Sequence, residues 1–175
     1  IDIKKRYNDI LTIIAPRHIS RVKEIKFLCE SKNLTVQILN SDEKIRHDKE
    51  IIIINSFGDL NSYFKYAKSV FIGKSTLKEL QDVSGQNPIE ASKLGCKVYH
   101  GPYVYNFIEI YNILEKLNIS KKVINHKDLS QKLIEDLKNS KKDENAYSKI
   151  MDDLSKKTLD QTMNKINGIL KNEIN

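Results

Sequence analysis

The chain has 175 residues, with 30 Lys+Arg against 23 Asp+Glu and a formal net charge of +7, enough length for one domain, or one domain with a helical appendage, around a hydrophobic core. Its longest aliphatic block is Ile51–Ile54, so no run approaches membrane-spanning length, and the first residues show no signal-peptide pattern. The basic excess is spread along the chain, 18 basic against 14 acidic over residues 1–120 and 12 against 9 over residues 121–175, which argues against a nucleic-acid-binding patch.

Ile10 to Ala15 reads as a short buried strand, stopped by Pro16. Ile19 to Lys32 carries Val22, Ile25, Leu28 and Cys29 at a helical period. Leu34 to Leu39 and Glu50 to Ile54 are the second and third strands. Asp59 to Lys68 reads as a helix with Leu60, Tyr63, Phe64 and Ala67 on one face, and Ser69 to Ile72 as the fourth strand. A long loop from Gly73 leads to a helix over 87–94, then a strand at Lys97 to His100. Asn106 to Leu117 is helical, Lys122 to Asn125 a last short strand, and Leu129 to Lys138 a helix. Tyr147 to Leu170 reads as one or two more helices.

Alternating strands and helices imply right-handed crossovers and an α/β fold, a doubly wound parallel sheet of Rossmann-like plan. The expected organisation is a single domain over 1–175, with 141–175 as trailing helices. In such sheets ligands bind beyond the carboxyl ends of the strands. Pro16, Gly58, Gly73, Gly101 and Pro102 all fall there, although the chain has only six glycines and three prolines.

Three loops at those ends carry chemistry. Pro16-Arg17-His18 leaves the first strand; 26 of the 30 basic residues are lysine, so a retained arginine points to a need for its planar fork, as in clamping a phosphate. Asn55 to Leu60 follows the third strand, and Gly58 lets the backbone approach a ligand. Gly85-Gln86-Asn87-Pro88-Ile89-Glu90 leads into a helix: Pro88 suits the first helical position, Asn87 an N-cap, and Glu90 a capping-box carboxylate. Glu90 either caps its own helix or accepts hydrogen bonds from sugar hydroxyls. Gly73-Lys74-Ser75-Thr76 is not a Walker loop, because that motif's first glycine would stand where Lys68 does. There is no GxGxxG, nucleophile elbow or His/Cys metal cluster. Cys29 and Cys96 lack metal or redox spacing and read as small buried apolar residues in a reducing compartment.

The order of these motifs resembles a known family. Pro16-Arg17-His18 with Arg21, then Ser56-Phe57-Gly58-Asp59-Leu60, then Phe71-Ile72-Gly73-Lys74-Ser75, then the run from Gly85 through Gly101-Pro102 to Asn106-Phe107, is similar to the carboxy-terminal half of Kdo transferases. These move 3-deoxy-D-manno-octulosonic acid (Kdo) from CMP-Kdo to a lipid A precursor in lipopolysaccharide biosynthesis. The resemblance covers essentially the whole chain, with Gly168-Ile169-Leu170 loosely like the family's closing segment. It implies the nucleotide-sugar half of a glycosyltransferase-B fold. Pro16 and Arg17 would contact CMP, Arg17 its phosphate. The Gly58-Asp59-Leu60 turn would receive cytidine through backbone groups. Asn87, Pro88, Ile89 and Glu90 would hold CMP at a helix start, with Glu90 on the ribose. His18, Gly85 and Gln86 are further candidates.

The same resemblance implies no metal, no cofactor and no catalytic residue in this chain. The base, the lipid A precursor site and the membrane association at the cytoplasmic face of the bacterial inner membrane would belong to an amino-terminal half. The chain would then be an excised piece, one part of a split gene, or a remnant. Two departures stand out: Lys74 where the family has glycine, and Gln86 where it has histidine. Both bear on sugar-facing contacts more than on CMP-facing ones. The rival readings are a non-catalytic interaction module with weak nucleotide binding, and a related glycosyltransferase using another nucleotide sugar.

Overall fold

The computed structural model describes residues 3–7, 9–58, 60–83, 85–139 and 144–173. It divides into two compact units, Ile1–Leu60 and Asn61–Asn175.

The first unit is a three-stranded parallel sheet in the order β1-β3-β2, formed by β1 (Thr12–Ile14), β2 (Val36–Leu39) and β3 (Ile51–Ile54). A 3-10 turn at Ile19–Arg21 runs into helix α1 (Val22–Glu30). The central strand is four consecutive isoleucines, all buried, as expected where both faces of a parallel strand are covered. Side chains alternate across a strand, so Ile51 and Ile53 share one face. They pack with Val22, Ile14, Ile19, Ile25, Cys29 and Leu34. Burying each such isoleucine contributes about 1.5–3 kcal/mol. β1 was expected to be buried, but Thr12 and Ile13 are exposed and Ile14 only half-buried. The reason lies in the pairing: among the described strands β1 pairs with β3 alone and stands at the edge of its sheet.

The second unit holds another three-stranded parallel sheet, β4 (Ser69–Ile72), β5 (Lys97–His100) and β6 (Ser120–Lys122), in chain order. With it come helices α2 (Leu60–Phe64, beginning at the boundary), α3 (Ile89–Lys93), α4 (Ile108–Lys116), α5 (His126–Asn139) and α6 (Glu144–Glu173). The parallel α/β plan therefore stands, with the described strand pairs forming two sheets. β6 lies two residues earlier than expected. Val98 pairs with Ser120; Ile119 and Ser120 are buried, and Val123, from the expected strand at Lys122 to Asn125, is buried just beyond the ladder.

The core of this sheet joins Ile72, Cys96, Val98 and Val104 to Ala91 of α3 and Tyr111 of α4. β5 is tied to helices on both its faces. Tyr99 donates its hydroxyl to Asp136 of α5, while His100, pointing the other way, stacks on Tyr111 of α4 at 4.2 Å. The start of α6 closes a further cluster, with Met151 against Leu114 and Ile119 and Lys93–Asp152 paired at 3.4 Å. Residues 147–170, expected as one or two helices, lie in this single helix. Among the described residues no helix is long and apolar enough to cross a membrane.

Three helices stop by the same device before a strand. Asn33 after α1, Gly95 after α3 and Asn118 after α4 all take positive φ, at 58°, 76° and 55°. In each case the left-handed residue and its successor donate back to the last helical turn, as in Asn118 to Glu115 O at 2.9 Å and Ile119 to Leu114 O at 2.8 Å. This paired bonding is a Schellman cap, which satisfies the final carbonyls and turns the chain back.

Where β4 and β5 end, the backbones meet. A Cβ on Gly101 would lie 2.0 Å from the carbonyl oxygen of Ser75, whereas one on Gly73 would meet nothing within 4 Å. Gly101→Ala is therefore expected to cost about 3 kcal/mol or more, and Gly73→Ala less than about 1 kcal/mol, as read by parallel urea melts.

Candidate functional site

In the first unit, the parallel register aligns Ile14 with Ile53. The carboxyl ends of β1 and β3 thus share one edge of the sheet, bringing Pro16-Arg17-His18 and the Asn55–Gly58 turn together. Arg17 and His18 are exposed and Pro16 is half-buried. Arg17 forms no hydrogen bond or ion pair among the described residues. Its neighbour Arg21 is committed to Glu24 by two bonds of 3.0 and 3.1 Å, and Arg46 likewise to Asp48 at 3.1 Å for each. Those two arginines are explained locally. Arg17 is not.

Gly58 takes φ +139° with open space where a Cβ would stand, so conformation alone, not packing, calls for glycine here. Leu60 N–H donates to the Gly58 carbonyl at 2.9 Å, which removes that amide from the groups a ligand could use. Asp59 lies outside the described residues. Asn55 ties this turn to the end of β2 through Asn40 at 2.8 Å.

The second unit carries the other candidate loops, and Ser75 organises them. Its buried hydroxyl donates to Ile72 O at 2.6 Å and accepts from Gly101 N–H at 2.8 Å. Its carbonyl accepts from Tyr103 N–H at 2.9 Å. Further along, Gly85 sits at φ +86°, where a Cβ would lie 2.9 Å from the Val104 Cα, and Tyr111 donates its hydroxyl to the Gln86 carbonyl at 2.9 Å. The segment 85–90 is thus held from below by residues that follow β5.

α3 begins later than expected, at Ile89, with Pro88 in the capping position rather than inside the helix. Asn87 still caps: its side-chain oxygen accepts from Ile89 N–H at 3.0 Å. Glu90 does not complete a capping box. Its carboxylate is exposed and has no hydrogen-bond or ion-pair partner among the described residues. The helix it was expected to cap reciprocally is five residues long, and the compact Asn87 turn does that work without it. Gly85 and Pro88 are buried, Gln86 and Ile89 half-buried.

The expected residues therefore divide between the units: Pro16, Arg17, His18, Gly58 and Leu60 in the first, Gly85 to Glu90 in the second. Ser75, His100 and Tyr111 were not anticipated. Ser75 had a signal, since it follows a strand and a glycine, but that signal was spent on excluding a Walker loop. His100 is fully buried, with Nδ1 2.8 Å from the Gly101 carbonyl. Because a carbonyl only accepts, Nδ1 carries the proton, and Nε2 faces Glu115 at 3.0 Å without hydrogen-bond geometry. Burial holds the imidazole below its ordinary pKa, opposed by the nearby Glu115 carboxylate. Among the described residues no group of three or more His, Cys, Asp or Glu could hold a metal ion.

No family model matches the chain. The chain has the fold of the C-terminal domain of a glycosyltransferase-B enzyme. The crystal structure of the C-terminal CMP-Kdo binding domain of WaaA from Acinetobacter baumannii superposes with a TM-score of 0.65, covering 87% of this chain and 76% of that one at 18% identity. In sequence the chain is similar to 3-deoxy-D-manno-octulosonic acid transferases. The Rickettsia conorii enzyme is 27% identical over 97% of this chain, and that of Rickettsia felis 30% identical over 58% of it. The chain spans only 36% and 21% of the length of these two relatives.

A buried histidine whose pKa is lowered on folding binds fewer protons folded than unfolded. Stability from His100 is therefore present above the unfolded value near 6.5 and lost as pH falls below it, by at most about 1.4 kcal/mol per unit. Urea melts at pH 5.5 and 7.5 are expected to show this loss, and His100→Asn to flatten it.

Proposed function

We propose that the chain is the donor-binding domain of a Kdo transferase, holding CMP-Kdo while the sugar passes to a lipid A precursor. The observation that carries this reading is the similarity to the Rickettsia conorii Kdo transferase along 97% of the chain. The fold and the chemistry of the loops support it.

In this reading the guanidinium of Arg17, left without a protein partner, donates two parallel bonds to the CMP phosphate. Charge-assisted bonds of this kind strengthen as the leaving phosphate gains negative charge. The Gly58 turn receives the cytosine through backbone groups, and Glu90 accepts from the ribose hydroxyls. Asn87 and Pro88 shape the loop, since the Asn87 oxygen is already used on Ile89. His18, Gly85 and Gln86 line the same loops. The acceptor hydroxyl must be deprotonated by a carboxylate placed near it, and Glu90, assigned to ribose, leaves that base to another part of the full enzyme. Acceptor binding and association with the inner membrane belong to that part as well. The isolated chain is accordingly expected to bind CMP and to transfer no Kdo in a radiolabelled-donor assay.

Calorimetry on the chain is expected to show CMP bound in preference to UMP and AMP; equal affinity for all three would sink the proposal. Glu90→Gln removes a charged acceptor, a loss of about 1.5–3 kcal/mol or roughly ten- to a hundredfold in CMP affinity. Its melting temperature should not move, because the carboxylate has no partner among the described residues. Arg17→Lys keeps charge but loses the fork, so binding should weaken and become more salt-sensitive.

A further inference from the structure

We infer that Lys74 is an anion-binding residue of the donor site, its ammonium taking an oxyanion of the nucleotide sugar, either the phosphate or the sugar-acid carboxylate. The inference rests on the donor-binding reading above.

Lys74 takes φ +61°, in the left-handed region. The other non-glycine residues with positive φ among the described residues are Asn33 and Asn118, a residue type whose short polar side chain tolerates that conformation. Lysine has no such tolerance. The backbone cannot relax, because Ser75 is bonded on one side to Ile72 and on the other to Gly101 and Tyr103. Lysine is abundant in this chain, yet abundance does not account for one lodged where glycine or asparagine would be less strained.

The side chain offers the fold nothing visible in return. It is half-buried and makes no hydrogen bond or ion pair among the described residues. Backbone strain held in place by its surroundings collects at functional sites. The position supports the same conclusion. The register that aligns Ile72 with His100 puts Gly73-Lys74 and Gly101-Pro102 together at the carboxyl edge of the sheet, where ligands of parallel α/β folds bind. An unpaired cation there, on a rigid turn, suits an anion.

The test compares the full chain with Lys74→Asn, which keeps the left-handed turn without the charge, and with Lys74→Arg and Lys74→Gly. NMR titrations use CMP, cytidine and free 3-deoxy-D-manno-octulosonate, so that phosphate and carboxylate are probed separately. If Lys74 holds the phosphate, Lys74→Asn lowers CMP affinity about tenfold and leaves cytidine unchanged. If it holds the carboxylate, the loss falls on the free sugar acid instead. Lys74→Arg should retain most of the binding in either case, and Lys74→Gly should melt about 2–4 °C higher than the parent. Parent-like CMP and sugar-acid binding in Lys74→Asn, with CMP still bound by the parent, overturns the role of Lys74 alone. Failure of the parent to bind CMP at all overturns the donor reading and this inference with it.

Discussion

The hydroxyl of Ser75 is the contact on which the carboxyl edge of the second unit's sheet depends. One buried group satisfies the last carbonyl of β4 and the first free amide after β5, two backbone groups that would otherwise be buried unpaired at a cost of about 1–3 kcal/mol each. The approach is possible only because Gly101 has no side chain. Once the two strand ends are joined, the chain after Gly101 has a set course. Tyr103 donates to Ser75, Val104 turns inward against Gly85, and the helix that follows brings Tyr111 beneath Gln86. A loop of polar residues with little core of its own is thereby fixed by a serine ten residues before it.

β5 transmits the same order to the rest of the unit. Its successive residues point to opposite faces, and the polar tips of two of them reach different helices. Tyr99 bonds Asp136, which also holds Lys121 at 3.2 Å; its hydroxyl is kept protonated by burial and by that carboxylate. His100 lies on the other side against Tyr111 and Glu115. Contacts from both faces of one central strand, the Tyr99–Asp136 hydrogen bond and the packing of His100 on Tyr111, set the position of each helix more narrowly than apolar packing alone, because a misplaced helix would lose them.

The features legible in the sequence were those with local causes. The isoleucine run, the helical periods and the glycines and prolines after strands gave the parallel α/β plan, because burial on both faces and backbone geometry leave marks within a few residues. Errors arose where a distant partner decides. Lys122 to Asn125 reads as a strand, yet the ladder to β5 engages Ser120 to Lys122. Thr12 and Ile13 look buried until the sheet order shows β1 to be an edge. The 3-10 turn at Lys78–Val83, read in the sequence as part of the long loop from Gly73, packs against the Tyr105–Phe107 turn that follows β5. The capping box failed for a subtler reason. Its residues were present at the right spacing, but the Asn87 turn began the helix one residue later and left Glu90 facing solvent.

That failure bears on how the charges should be interpreted. A charged side chain on a protein surface ordinarily finds a neighbour when one is within reach, as Arg21 does with Glu24, Arg46 with Asp48 and Lys132 with Asp128. Such exposed pairs add little stability, but they do show which charges the fold has already occupied. Arg17, Glu90 and Lys74 have no hydrogen-bond or ion-pair partner among the described residues, and each stands on a loop or first helical turn near the carboxyl end of a parallel strand, not in the middle of a solvated helix face. For Glu90 this removes the one structural role its spacing suggested. For Arg17 it separates the residue from Arg21, its neighbour in both sequence and chemistry. For Lys74 the strained backbone adds a cost that no hydrogen bond or ion pair among the described residues offsets. Unspent charge on a rigid turn is what recognition of an anionic, hydroxyl-rich ligand requires, because the donors and acceptors are then positioned before the ligand arrives and lose little freedom in binding it.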